Sequence, residues 1–168
     1  MSIEKPAIFF DRDGVLNEDH GYIYEKENFI WVDGAVEAIK YLNKQGYLIF
    51  VVTNQSGIAR GYFAESDLER LHSWVNKELR EVGAKIDKFY YCPHHPQGII
   101  KKYVSECLCR KPKPGMLIKA IEEWPIFLND SFLIGDKETD ILAAKSIGLE
   151  GYLFEGGNLF DFLKGKNI

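Results

Sequence analysis

The segment Ala7-Ile8-Phe9-Phe10-Asp11-Arg12-Asp13-Gly14 decides the fold of this chain. Its four apolar residues end abruptly in charged ones, as a buried strand of a parallel sheet does where it leaves the sheet. Two later apolar runs end in the same way, residues 47–52 before Thr53-Asn54 and residues 132–134 before Gly135-Asp136. The carboxyl ends of parallel strands share one edge, where ligands bind. The sequence therefore predicts a site that gathers these scattered polar residues.

Helical patterns separate the predicted strands. Asp33 is placed as the N-cap of one helix, and Ser66 and Glu69 are spaced as the capping box of the next. Further strands are predicted at residues 89–91 and 152–154. This alternation indicates an α/β fold with a mainly parallel sheet and flanking helices, formed by residues 1–168 as one domain without a large cap insertion. Among the other residues that mark the predicted helices are Gly46, Pro114, Gly115, Ile141, Leu142 and Ala144.

Composition and charge exclude several classes of protein. The 168 residues carry 21 Lys and Arg against 25 Asp and Glu, a formal net charge of −4, which argues against a basic nucleic-acid binder. No window approaches the roughly 18 uninterrupted apolar residues that a membrane span needs. The first residues lack the charged and apolar regions of a secretory signal. We expect a cytoplasmic monomer that has neither a nucleic acid nor a membrane as its partner.

The two aspartates that follow the first strand have the chemistry of phosphoryl transfer. Asp11 and Asp13 are two residues apart on an extended exit, so both can reach one ligand. One carboxylate can attack phosphorus while the other protonates the leaving alkoxide and later activates water. Asp136 supplies a further oxygen ligand for Mg²⁺, which would relieve the repulsion between carboxylates and phosphate. Thr53 and Lys111 can hold the phosphate oxygens.

These residues stand in the order of four known motifs. The segment 11–15, Thr53-Asn54, Lys111 and the segment 135–140 resemble the motifs of the haloacid dehalogenase superfamily of phosphatases. The resemblance implies a Rossmann-like sheet, Asp11 as nucleophile, Asp13 as general acid and base, and Thr53 and Lys111 as phosphate clamps. It also implies that Mg²⁺ is held by the Asp11 carboxylate, the Asp13 backbone carbonyl and Asp136. Asp140 either supports this site from behind or is a charge on a helix surface.

All three cysteines fall in one short window. Cys92-x-His94 and Cys107-x-Cys109 offer three thiolates and one imidazole, a complete tetrahedral set for a structural Zn²⁺. Residues 93–114 show no periodic pattern of a helix or strand. A zinc ion bound within about residues 92–109 would order so long a loop. His95 is the competing ligand, but we expect it to form a wall of the pocket. The zinc would fix the position of Lys111.

The substrate is indicated by longer runs. Residues 92–98 and 107–112 are similar to the zinc-bearing branch of the superfamily that includes the histidinol-phosphate phosphatases. Residues 19–22 and 53–61, together with residues 92–98, are closer to the heptose bisphosphate phosphatase family. That resemblance implies a sugar bisphosphate as the small-molecule partner, and loss of its C7 phosphate yields a heptose 1-phosphate for bacterial surface glycans such as lipopolysaccharide. It implies a sugar pocket lined by Asp19, His20, Asn54, Gln55 and Ser56.

A second anionic group on the substrate would suit two cations that have no assigned acid. Arg110 and Lys137 lie beside the motifs, and the planar fork of an arginine suits a second phosphate. The alternative is that Arg110 pairs with Glu106. Histidinol phosphate, whose amine is cationic, would instead require carboxylates in the pocket.

Two other classes of protein share parts of this pattern. Receiver domains also collect Asp, Thr, Lys and Mg²⁺ at strand ends, but their phosphorylated Asp follows the third strand, where this chain has Cys92-Pro93-His94. A non-catalytic, zinc-stabilised binding module would have to keep every reactive group without using it. Both readings are therefore disfavoured against a phosphatase.

Overall fold

The computed structural model describes residues 2–168 and is built on a five-stranded sheet. Every neighbouring pair of strands is parallel, in the order β3-β2-β1-β4-β5. The strands are β1 (Ala7–Phe10), β2 (Leu48–Asn54), β3 (Lys88–Cys92), β4 (Phe132–Gly135) and β5 (Glu150–Leu153). The helices are α1 (Ala35–Lys44), α2 (Glu65–Glu81), α3 (Gly115–Glu123), α4 (Glu138–Ser146) and α5 (Leu159–Gly165). The α/β fold with a parallel sheet and flanking helices is thus confirmed.

The sheet is buried on both faces, which explains the uninterrupted apolar run of β1. Ile8 and Phe10 pack into a core with residues of α1, α2 and α5, whereas Ala7 and Phe9 pack into a second core with residues of α3 and α4. All four side chains are fully buried. Because successive side chains of a strand point to opposite faces, a central strand between two helical layers must be apolar at every position. Only its end can carry polar chemistry.

The starts of two helices differ from the predictions. The residue that caps α1 is Gly34, with φ +77°, and the backbone carbonyl of Asp33 accepts from Leu159 N–H instead. In α2 the carboxylate of Asp67 accepts from the backbone N–H of Ala64 at 2.8 Å, so the capping interaction lies two residues before the predicted Ser66 and Glu69. In so polar a segment, several pairs of residues have the three-residue spacing of a capping box by chance. The prediction that Ser66 caps α2 was therefore wrong.

Other boundaries moved for reasons of packing. The strand β2 continues through Thr53 and Asn54, which pair with β3, so these residues end the strand rather than follow it. In α4 the buried residues are Asp140, Ala143 and Ala144, while Leu142, one of the residues that defined the predicted helix, is 45 % exposed. Small side chains on this face let α4 approach the sheet closely. None of the helices within residues 2–168 has the length and apolar character needed to cross a membrane.

Candidate active site

A cavity of about 310 Å³ opens at the carboxyl edge of the sheet. It collects residues from the ends of β1 and β2, from the segment after Cys109 and from the start of α4. Eight of the residues predicted for the site line it: Asp11, Asp13, Asp19, Asn54, Gln55, Ser56, Lys111 and Lys137. Gly21, Tyr22, Thr139 and Asp140 also line it. Residues that are 100 positions apart, such as Asp11 and Lys111, thereby become direct neighbours.

Lys111 is the buried cation of the site. Its Nζ donates to Asp11 Oδ1 at 3.0 Å and to the Val52 carbonyl at 2.8 Å, and it lies 2.5 Å from Asp140 Oδ1. Burial lowers the pKa of Lys111, but the charges of Asp11 and Asp140 outweigh that effect and raise its pKa above the usual value. The ammonium therefore stays charged, and its three N–H groups all have acceptors.

Three acids lie close together here, and two of them, Asp11 and Asp140, contact Lys111. Carboxylate oxygens of Asp11, Asp136 and Asp140 all lie within 4.8 Å of one another. Burial raises the pKa of Asp11 to about 8, against the lowering effect of Lys111, and burial likewise raises the pKa of Asp136. Asp136 Oδ1 is buried and has no hydrogen-bond partner among the described residues. One ammonium does not neutralise three carboxylates. The cluster therefore suits a hard divalent cation such as Mg²⁺, which prefers oxygen ligands.

Two glycines allow the acids to approach so closely. A Cβ atom on Gly14, whose φ is +87°, would lie 2.2 Å from Asp136 Oδ2. A Cβ atom on Gly135 would lie 2.2 Å from the Cβ of Asp140. Any side chain at either position would force the acidic cluster apart.

Asp140 is already engaged within the protein. Its Oδ1 contacts Lys111 Nζ, and its Oδ2 accepts from the backbone N–H of Lys137 at 3.1 Å, in the first turn of α4. The residue is 1 % exposed, which excludes the interpretation of Asp140 as a surface charge. Its carboxylate therefore anchors Lys111 to the start of α4.

The second aspartate of the first motif is held by three donors. Asp13 Oδ1 accepts from Arg12 Nη2 at 2.8 Å and from Asn17 Nδ2 at 3.0 Å. Asp13 Oδ2 accepts from Gln55 Nε2 at 2.9 Å, and the same amide donates to Thr53 Oγ1 at 3.0 Å. The Gln55 side chain, expected to contact a sugar, thus joins Asp13 to Thr53. Sequence reasoning missed Arg12 and Asn17, for which it had no signal except their proximity to Asp13.

Asn54 also has an internal partner. Its Oδ1 accepts from the Lys111 backbone N–H at 3.0 Å, and its Nδ2 donates to the Lys111 carbonyl at 3.2 Å. This pair of bonds ties the end of β2 to the segment that carries Lys111. The Asn54 side chain therefore positions a cation in addition to lining the cavity.

Some predicted residues lie outside the cavity lining. His20 is exposed and pairs with Glu18 at 2.7 Å. Thr53 is buried behind Gln55. Arg110 Nη1 is buried without a hydrogen-bond partner within residues 2–168, and no ion pair with Glu106 forms there. His95 contacts Arg60 at 3.4 Å and is not among the lining residues, so its interpretation as a pocket wall was wrong.

Tyr22 lines the cavity but was not among the predicted site residues. Its backbone has φ +51°, a conformation rare for a bulky residue, and its ring meets that of Tyr62 edge to face at 4.7 Å. Strained residues concentrate at ligand sites when the surroundings hold them in place. The Tyr22 side chain therefore lines the cavity, with Tyr62 packed against it.

The cysteine window forms a second cluster. The ligand atoms of Cys92, His94, Cys107 and Cys109 all lie within 4.8 Å of one another. Cys92 Sγ lies 3.6 Å from both Cys107 Sγ and His94 Nδ1, and His94 Nδ1 lies 3.3 Å from Cys109 Sγ. A tetrahedral zinc with normal Zn–S and Zn–N lengths has ligand separations of about 3.5–3.8 Å. Cys92 Sγ and Cys109 Sγ are closer, at 2.9 Å, so a bound zinc would have to move this pair apart. The donor set fits a structural Zn²⁺, and its four protein ligands would leave no position for water.

Comparison with known proteins agrees with this arrangement. Residues 108–159 match a family model described as HAD-hydrolase-like. The chain is 44 % identical to D-glycero-beta-D-manno-heptose-1,7-bisphosphate 7-phosphatase of Rhodopseudomonas palustris, over 95 % of this chain and 89 % of the relative. It is 47 % identical to the protein of the same name from Escherichia coli K12, over 86 % and 75 % of the two chains.

A solved structure gives the same result in three dimensions. The D,D-heptose 1,7-bisphosphate phosphatase of B. bronchiseptica, complexed with magnesium and phosphate, superposes with a TM-score of 0.80 at 31 % identity. The match covers 95 % of this chain and 86 % of that one.

Proposed function

The chain belongs to the family of D-glycero-beta-D-manno-heptose-1,7-bisphosphate 7-phosphatases, and from this premise we propose that it removes the C7 phosphate of that sugar bisphosphate. It is a phosphoric monoester hydrolase of the HAD-like type. The observation that carries the proposal is the cluster of Asp11, Lys111 and Asp136. Asp11 and Lys111 are buried and line the cavity of about 310 Å³, and the half-buried Asp136, outside that lining, has a carboxylate oxygen within 4.8 Å of one of Asp11. That volume suits a small sugar phosphate.

Asp11 is the nucleophile in this reaction. Its carboxylate attacks the C7 phosphorus, and the ester oxygen of the sugar leaves as an aspartyl phosphate forms on Asp11. Lys111 stays charged beside Asp11 and can turn one N–H from its present acceptors to a phosphate oxygen. The Thr53 hydroxyl, which accepts from Gln55 Nε2 at 3.0 Å, could donate to a phosphate oxygen only once the Gln55 side chain that covers it moves aside.

Asp13 moves the protons. It protonates the leaving sugar oxygen in the first step, and its carboxylate then takes a proton from the water that hydrolyses the aspartyl phosphate. Three donors fix its orientation, so that the carboxylate reaches into the cavity that it lines.

Two metal ions complete the proposal. The Asp11 and Asp136 carboxylates and the Asp13 backbone carbonyl are the residues that would hold Mg²⁺, which offsets negative charge around the phosphate when bound. The Cys92, His94, Cys107 and Cys109 set would hold a structural Zn²⁺ next to Lys111. The relative solved with magnesium and phosphate supports the first assignment.

The C1 phosphate is the feature that distinguishes this substrate from histidinol phosphate. Lys137 lines the cavity, and Arg110 has a buried Nη1 with no partner among the described residues. We assign both cations to the retained C1 phosphate. The product, heptose 1-phosphate, would then supply nucleotide-activated heptose for a surface glycan.

The deciding experiment follows both phosphorus atoms. Each anomer of heptose 1,7-bisphosphate is incubated with the protein and Mg²⁺, and phosphorus NMR monitors the two esters. We expect loss of the C7 resonance with the C1 resonance intact. Loss of the C1 ester first would overturn the assignment of the reaction.

A matched comparison tests the recognition of the second phosphate. The value of kcat/KM is measured for the heptose bisphosphate and for histidinol phosphate, with the wild-type protein and with Arg110→Ala. We expect Arg110→Ala to lower kcat/KM for the bisphosphate by about 10–100-fold, the usual effect of losing one charged hydrogen bond, and to leave histidinol phosphate unchanged. Faster turnover of histidinol phosphate by the wild type would favour that substrate instead.

A further inference from the structure

A buried arginine lies behind the proton-transferring aspartate. The Arg12 side chain is 1 % exposed. Its Nη2 donates to Asp13 Oδ1 at 2.8 Å and to the Ile23 carbonyl at 2.5 Å, while its Nε has no partner among residues 2–168. The Nη2 end of the guanidinium is therefore held by two acceptors. The orientation of the other end depends on the partner of Nη1.

The partner of Nη1 is a histidine on α2. His72 Nε2 lies 3.2 Å from Arg12 Nη1, and the residue is 5 % exposed. The imidazole stacks on the ring of Phe89 in β3, with centroids 4.3 Å apart and an angle of 14° between planes. Burial, assisted by the charge of Arg12, holds the pKa of His72 well below its usual range. The ring is thus neutral, and a neutral imidazole can accept through Nε2 from the guanidinium.

We propose that His72 is a positioning residue for the reaction: it fixes the Arg12 fork and, through that fork, the carboxylate of Asp13. The inference rests on the proposed role of Asp13 in proton transfer. Asp13 Oδ1 accepts from Arg12 and Asn17, so a rotation of the guanidinium would turn the whole carboxylate. Neither His72 nor Phe89 lines the cavity, so the effect reaches the substrate only through Arg12.

The consequence is specific to proton transfer. A sugar alkoxide is a poor leaving group and needs a general acid, whereas an aryl oxide such as nitrophenolate leaves without one. A misplaced Asp13 therefore slows the first step for a sugar phosphate but not for an aryl phosphate. General damage to the fold would slow both.

The test compares His72→Leu, His72→Gln and the control Ser73→Ala on two substrates. We expect His72→Leu to lower kcat for the heptose bisphosphate by about 10–100-fold, within the range of general acid–base effects, with KM changed less than about 3-fold. The rapid release of nitrophenolate in the first turnover should remain within about 3-fold of wild type. His72→Gln, whose amide oxygen can accept from Arg12, should recover most of the loss, and Ser73→Ala should behave as wild type.

A double-mutant cycle keeps the proposal testable if His72→Leu is less stable. If His72 acts through Asp13, adding His72→Leu to Asp13→Asn should cause little further loss of kcat for the sugar phosphate. Equal losses on both substrates, full additivity in the cycle, or normal turnover by folded His72→Leu would each overturn the proposal. Should the wild type fail to hydrolyse the heptose bisphosphate, any alkyl phosphate that it does hydrolyse serves in its place, so failure of the substrate assignment is distinguished from failure of this inference.

Discussion

At the residue scale, Lys111 balances charges that could not otherwise be buried together. Its side chain is 4 % exposed, between Asp11 and Asp140 side chains that are 10 % and 2 % exposed. Removing one partner from a buried ion pair leaves an uncompensated charge, which costs far more than the net value of the pair. The lysine is therefore as important for the fold of the site as for its chemistry.

We expect Lys111→Met to destabilise the protein by about 3–5 kcal/mol at about pH 9, where Asp11 is ionised. The loss should shrink as the pH falls below about 8, because the Asp11 carboxyl, whose pKa burial raises to about 8, is then protonated and needs no counter-charge. Urea unfolding at several pH values measures both effects. A loss that is independent of pH would contradict this explanation, and Lys119→Met, on the exposed surface, serves as the control.

Asp11 and Asp13 should fail in different steps. Asp11→Asn removes the nucleophile, so no aspartyl phosphate and no turnover are expected. Asp13→Asn keeps the nucleophile, and we expect nitrophenolate release from an aryl phosphate in the first turnover followed by steady turnover about 10²–10⁴-fold slower than wild type. Rapid-quench measurement of both products separates the cases. Wild-type turnover by Asp11→Asn would remove the nucleophile assignment.

The acidic cluster predicts how magnesium and pH act together. Burial raises the pKa of Asp11 from 3.8 to about 8 in the folded chain. Between these values the folded chain binds more protons than the unfolded chain, so the metal-free protein loses stability as the pH rises through this window, by at most about 1.4 kcal/mol per pH unit.

Bound Mg²⁺ would replace that proton, so its stabilising effect should grow with pH. We expect saturating Mg²⁺ to raise the melting temperature more at about pH 8 than at about pH 6, since a smaller fraction of the molecules then has a proton on Asp11 that Mg²⁺ must displace. Thermal melts with and without Mg²⁺ provide the measurement. In Asp136→Asn the gain should largely disappear, whereas an equal gain at both pH values in the wild type would contradict the linkage.

At the scale of single elements, the start of α2 offers a local test of the structure. Asp67 accepts from the Ala64 backbone N–H at 2.8 Å, and it also pairs with Arg70. We expect Asp67→Ala to cost about 0.5–2 kcal/mol, as the loss of a capping interaction does. Ser66→Ala, at the position that the sequence pattern favoured, should change stability by less than about 0.5 kcal/mol. Chemical unfolding of both variants decides between the two capping schemes.

The elements show what a sequence can and cannot predict. β1 was predicted with its correct bounds because an apolar run buried on both faces ends where charge begins. The cap of α2 was not predicted correctly, because Ser66 and Asp67 both suit the N-terminal turn of a helix. Which of them takes part in the cap is determined by the packing of the helix. Leu142 has helical spacing but faces solvent, since α4 packs through alanines instead.

The site shows the same division. Asp11, Asp13 and Lys111 were predicted because their residue types and order carry the chemistry. The hydrogen bonds that Asn54 and Gln55 make within the protein were not predicted. An amide side chain beside a phosphatase motif can contact either a bound sugar or other protein groups, and the sequence does not distinguish the two. The contact between Arg12 and His72 spans 60 positions, and no local pattern encodes it.

At the scale of the whole molecule, the order β3-β2-β1-β4-β5 brings distant segments to one edge. β1 lies at the centre, β2 and β4 flank it, and the zinc loop joins β3 to α3. The segment with Lys111 belongs to no strand or helix, yet the lysine is buried. It is held by the Asn54 side chain on one side and by the cysteine cluster on the other.

Zinc should therefore affect catalysis by fixing the position of Lys111. Cys109 lies two residues before Lys111, and Leu108 accepts from the Gly115 backbone N–H at 2.8 Å, so the cluster and the start of α3 bracket the lysine. A chelator selective for zinc, used with Mg²⁺ in excess, should lower kcat by about 100-fold, because a displacement of about 1 Å at a reacting group has that effect. Activity should return when zinc is restored, and a surface variant such as Lys145→Ala should respond as wild type does. Zinc content, circular dichroism and phosphate release are measured on the same samples. Full activity in a folded preparation with no zinc would mean that Asn54 alone is enough to place Lys111.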